Sequence, residues 1–97
     1  MKKFAFILMG EELDPSQHKA EFATQGQLTS IRTVRNFEQA KQLVLSLQKE
    51  GYGAIELCGA FGAEKAQELT QMTGGSIAIG YVVHDPALDK VFSSFWG

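Results

Sequence analysis

A chain of 97 residues, 44% hydrophobic and 21% charged, can bury one core but not two, so one domain spanning residues 1–97 is expected. A net charge of −2, a pI near 5.6 and scattered basic residues (Lys2, Lys3, Arg32, Arg35, Lys41, Lys49) offer no basic surface to a phosphate backbone, so nucleic acid is not an expected partner. No stretch approaches the ~20 apolar residues of a bilayer span, and the lone Cys58 has no disulfide partner in the chain; membrane is not expected and a cytoplasmic setting is.

Met1-Lys2-Lys3 ahead of Phe4-Ala5-Phe6-Ile7-Leu8-Met9 has the start of a signal peptide. The apolar run is too short, however, and meets Gly10-Glu11-Glu12 in place of a small-residue cleavage site. Lys3 to Met9 therefore reads as a central strand, buried on both faces. Asp14-Pro15, with Gln17 placed to return a capping bond, predicts a short helix to about Phe22. Gln25-Gly26-Gln27 breaks it. Leu28 to Val34 then alternates Thr29, Ile31 and Thr33 with Ser30 and Arg32, a strand polar enough for a sheet edge.

Asn36 and Gln39 form a second capping pair, and Phe37, Ala40, Leu43, Val44 and Leu47 repeat at helical spacing until Gly51. Gly53 to Cys58 predicts a strand and Gly59 to Gly62 a turn. Ala63, Ala66, Leu69 and Met72 make the inner stripe of a helix closed by Gly74-Gly75. Ser76 to Val83 is the last strand. Asp85-Pro86 starts a final helix whose Leu88, Val91, Phe92 and Phe95 follow the i, i+3, i+4, i+7 pattern.

Strand and helix thus alternate about four times, which predicts an α/β fold: a small parallel sheet of about four strands, in flavodoxin-like order 2-1-3-4, with helices on its faces. That order leaves the apolar Ser76–Val83 strand at an edge, near Phe95 and Trp96. Such surface predicts a homo-oligomer, a dimer or larger.

Ligands of open parallel sheets bind at the strands' carboxyl ends, where loops and helix N-termini converge. Period-2 alternation puts Ala54, Glu56 and Cys58 on one face of their strand, and Ala78, Gly80 and His84 on one face of the next. If Ala54 opposes Ala78 or Gly80, then Glu56, Cys58 and His84 come together; a one-residue slip separates them. Glu56 is the unusual residue, a carboxylate inside an apolar strand that must reach solvent, meet a cation such as Arg35, or act as a general base. Cys58 precedes Gly59-Ala60-Phe61-Gly62, a loop whose amides can receive an anion but whose glycines also serve tight turning. Phe61 either closes over a ligand or caps the core. No spacing motif supports a metal or other cofactor.

The segments Lys2–Ile7, Gly53–Gly62 and Ala78–Pro86 resemble a bacterial family of small proteins catalogued only as a domain of unknown function; Glu56-Leu57-Cys58-Gly59-Ala60-Phe61-Gly62 is the most specific part. The resemblance spans nearly the whole chain and implies a stand-alone bacterial protein, with no activity attached. Three functions follow as expectations. The first is binding of a small, anionic molecule at a rim of Arg35, Glu56, Gly59, Phe61, Gly62 and His84. The second is an enzyme using Glu56 or a Cys58/His84 pair for proton transfer or nucleophilic chemistry. The third is a structural or interaction role with the rim buried in a homo-oligomer.

Overall fold

A computed structural model describes residues 1–97. In chain order the elements are β1 (Lys2–Met9), β2 (Ala20–Ala23), β3 (Gln27–Val34), α1 (Phe37–Lys49), β4 (Ala54–Leu57), α2 (Gly62–Met72), β5 (Ala78–Tyr81), a 3₁₀ turn (Pro86–Leu88) and α3 (Asp89–Trp96). The five strands form one sheet in the order β2-β3-β1-β4-β5, with β2 antiparallel and the rest parallel. The four parallel strands thus take the flavodoxin-like order expected of an α/β chain.

Two expectations are corrected at the β2 end. The helix predicted from Asp14 to Phe22 is a single turn followed by an edge strand. Asp14 does cap it: its Oδ1 accepts from the Ser16 amide at 2.9 Å and hydroxyl at 2.8 Å, which together hold its carboxyl below the usual carboxylate range. After Pro15 the residues Ser16, Gln17, His18 and Lys19 offer no apolar stripe to hold a helix on the sheet, while Ala20 and Phe22 alternate as a strand does. The second correction follows from the first: β2 takes the edge, so β3 lies inside the sheet. Its Ser30 is buried, bonded to Glu21 Oε1 at 3.0 Å and Tyr52 Oη at 2.6 Å.

Chain direction decides where the helices go. The connections β3-α1-β4 and β4-α2-β5 both move the same way across the sheet, and right-handed crossovers therefore put α1 and α2 on one face. The connection from β1 to β3 moves the opposite way, and a helix in it would cover the other face. It holds only the Asp14 turn and β2. The core accordingly lies on one side: Ala5, Ile7, Ile55 and Leu57 of the sheet meet Ala40, Val44 and Leu47 of α1 and Ala66 and Leu69 of α2. Each fully buried Leu, Ile or Val there is worth about 1.5–3 kcal/mol.

The predicted caps of α1 and α2 hold. Asn36 Oδ1 accepts from the Gln39 amide at 2.9 Å, although the return bond from Gln39 Oε1 goes to the Arg35 amide at 2.8 Å. Gly74 and Gly75, at φ 66° and 76°, close α2 by donating to Gln71 and Thr70 carbonyls. Lys41 ties the two helices, its Nζ 3.1 Å from Glu38 and 3.3 Å from Glu68; those bonds raise its pKa. No helix is long and apolar enough to cross a membrane.

Candidate functional site

The face without helices is the unusual part of the molecule. Register and alternation give its rows across the sheet: Phe22, Thr29, Phe4, Ala54 and Ala78, then Ala20, Ile31, Phe6, Glu56 and Gly80. A third row has Leu8 beside Thr33, with Cys58 two residues beyond Glu56 on β4's side of the face. The Asp14 turn covers this face only at Thr33, whose hydroxyl donates to the His18 carbonyl at 2.7 Å.

Glu56 is the single charged side chain in the middle of that apolar surface. The expected register is the observed one, Ala54 opposite Ala78 and Glu56 opposite Gly80. The absence of a side chain at Gly80 makes room for the carboxylate: a Cβ added there would stand 2.6 Å from Glu56 Oε2. Glu56 forms no ion pair, with Arg35 or with any other cation. Arg35 lies at the end of β3, where its Nε donates to the Leu13 carbonyl at 2.9 Å.

At the carboxyl rim the same face runs into a groove. Leu8 of β1, Cys58-Gly59-Ala60 after β4, Val82-Val83-His84 after β5 and Phe92 and Trp96 of α3 enclose about 490 Å³. The floor is set by main-chain bonds that carry the pairing past the strand ends, Cys58 N–H to Ile7 at 3.0 Å and Val82 N–H to Leu57 at 2.9 Å. Cys58 Sγ accepts from the Met9 amide at 3.4 Å. His84 is fixed by α3: its ring stacks on Phe92 with centroids 4.0 Å apart, and Nε2 is 2.7 Å from Asp89 Oδ1. An ionised carboxylate only accepts, so Nε2 carries the proton and Nδ1 is the free ring nitrogen. The amides of Gly59 and Ala60 donate no bond within the chain.

Of the residues singled out in the sequence, the groove gathers Cys58, Gly59 and His84. Glu56 lies on the sheet face outside the groove lining, Arg35 follows β3, beside β1 but also outside that lining, and Gly62 opens α2 with φ 76°. Phe61 is 4% exposed and packs edge-on against Phe37 within the core. No hydrogen bond joins Cys58 to His84, so the contact that thiol activation by an imidazole base requires is not made. No three His, Cys, Asp or Glu side chains gather in a way that would hold a metal ion. Of the groove walls, Leu8 and Phe92 look like core in the sequence, while Val82, Val83 and Trp96 stood out there only as apolar surface for a second chain. The signal that would have found them was the missing helix between β1 and β3.

A second cleft, about 550 Å³, opens at the amino ends of β1 and β4 beside Lys2 and Lys3. Lys3 is already engaged there, donating to the Glu50 carbonyl at 2.7 Å and closing the end of α1. Helix N-termini and crossover loops converge at the opposite end, which favours the carboxyl-rim groove.

Fold and site together define a two-layer α/β protein with one uncovered sheet face and an apolar groove at its carboxyl rim. The chain belongs to a family of unknown function, DUF6506, whose model matches residues 2–97. No curated protein and no solved structure matches it.

Proposed function

We propose that the protein binds a small molecule with an apolar body in the groove between the carboxyl rim of the sheet and α3. One observation carries this reading: an enclosed volume of about 490 Å³, within the usual size of ligand pockets, is walled by apolar side chains yet holds a thiol and an imidazole. Polar groups that few, set in apolar walls, fix the orientation of a ligand while burial supplies affinity. The free amides of Gly59 and Ala60 would receive the polar end, and an anionic head suits them, since no carboxylate lines the groove; His84 Nδ1, an acceptor, would take a hydrogen bond from a donor group on the ligand. The proposed setting is the cytoplasm, where a lone cysteine stays a thiol.

Calorimetric titration with octanoate and with 1-octanol tests the reading and its anionic part separately. Binding of octanoate ahead of 1-octanol, with both weakened tenfold or more by Leu8→Glu, is the expected result. Equal heats in wild type and Leu8→Glu would contradict it.

A further inference from the structure

The chain carries two apolar surfaces that its own fold does not cover. One is the helix-free sheet face. The other is α3, which packs against no strand: Phe95 and Trp96 are 76% and 77% exposed, and open space lies on both sides of the helix. Its apolar residues form one stripe, with Leu88, Val91, Phe92, Phe95 and Trp96 at helical spacing, while Asp89, Lys90, Ser93 and Ser94 take the other side.

We infer that the protein is a two-fold dimer in which α3 of each copy lies on the uncovered sheet face of the other. The areas fit. Aromatic side chains offer ~150–250 Å² each, so Phe95 and Trp96 present roughly 300 Å², and the rest of the stripe brings the helix to roughly 500 Å². The sheet face, with Phe22 59% exposed and Ile31, Leu8 and Val82 each more than a third exposed, adds a comparable area. The two together reach the ~800 Å² per partner of a standard stable interface.

Self-complementarity selects a second copy as the occupant. Each chain offers one helix and one face, so a single two-fold axis satisfies both and leaves no apolar surface for further growth. A foreign helix on the face would leave α3 bare, and a foreign groove around α3 would leave the face bare. The dimer also supplies the layer that the β1-to-β3 connection omits, giving the sheet cover on both sides as parallel sheets require.

Sedimentation equilibrium on the full-length chain at micromolar concentration tests this, with Phe95→Glu on the helix and Phe22→Glu on the face. Both residues are exposed in the single chain and neither lines the groove; because Leu8, Val82, Phe92 and Trp96 do line it, the measurement is made without ligand. Wild type is expected at twice 10.6 kDa, and each variant at a dimer dissociation constant on the order of a hundredfold higher. An equimolar mixture of the two variants should pair more tightly than either alone, because one intact helix then meets one intact face. A wild-type mass of 10.6 kDa, or variants that pair as well as wild type, would overturn the dimer. A mixture no tighter than its components would overturn the exchange of helices.

Discussion

Glu56 and Gly80 form a pair across β4 and β5 whose logic is steric. The carboxylate lies where Gly80 has no side chain, over an apolar face, and nothing in the chain neutralises it. The atoms that a Cβ at position 80 would meet are the far end of a flexible side chain, so Gly80→Ala should swing Glu56 aside and leave the backbone in place. Because glycine also weakens a strand interior, the expected change in unfolding free energy is about 1 kcal/mol or less, in either direction. A loss above about 2 kcal/mol by urea denaturation would mean that the carboxylate is held where it is by the fold. Glu56 was conspicuous in the sequence because a carboxylate interrupts an apolar run. Its surroundings were not, since Arg35 was the nearest cation by strand end and proved to be engaged by the Leu13 carbonyl. Cys58 and His84 were legible as neighbours once the register of β4 and β5 was assumed. The His84–Asp89 pair was not, because it depends on the path of the chain after β5.

Elements differed in how plainly the sequence announced them. The helix α1 has a cap, an apolar stripe and a terminating glycine that all agree, and its boundaries follow. The Asp14–Phe22 segment has a cap without a stripe; local capping chemistry made one turn, and pairing with β3 captured the remainder as β2. Asp85 does cap, its Oδ1 accepting from the Ala87 amide at 2.9 Å, but what it starts is the 3₁₀ turn Pro86–Leu88; α3 follows from Asp89 with no side-chain cap of its own, and it carries the expected apolar stripe. What could not be read was that the stripe finds no strand to pack on within the chain, its one aromatic contact beyond α3 being Phe92 on His84. Substitution separates the two kinds of helix. Leu69→Ala in α2, fully buried, should cost about 2–5 kcal/mol, whereas Val91→Ala in α3 should cost under about 0.5 kcal/mol when measured on the monomer. Similar losses at the two positions would show that α3 belongs to the chain's own core.

At the scale of the whole molecule, strand order and crossover handedness together explain the exposed face. Two crossovers run one way and carry helices; the connection that would cover the other face carries none. The parallel α/β class was legible from the alternation of elements, which does not by itself fix the strand order, and the missing layer was hidden behind a helix start at Asp14 that did not propagate. Everything proposed for this protein follows from that missing layer: the groove at its rim, the unpaired terminal helix, and the carboxylate on open sheet. Trp96 is the only tryptophan in the chain and lines the groove, so its emission reports occupancy directly. The most direct measurement is a titration of octanoate followed by Trp96 fluorescence at fixed protein concentration, in wild type and in Leu8→Glu. Wild type should show a saturable spectral change that shifts to at least tenfold higher concentration in the variant. An unsaturable change, or one identical in both proteins, would contradict binding in the groove.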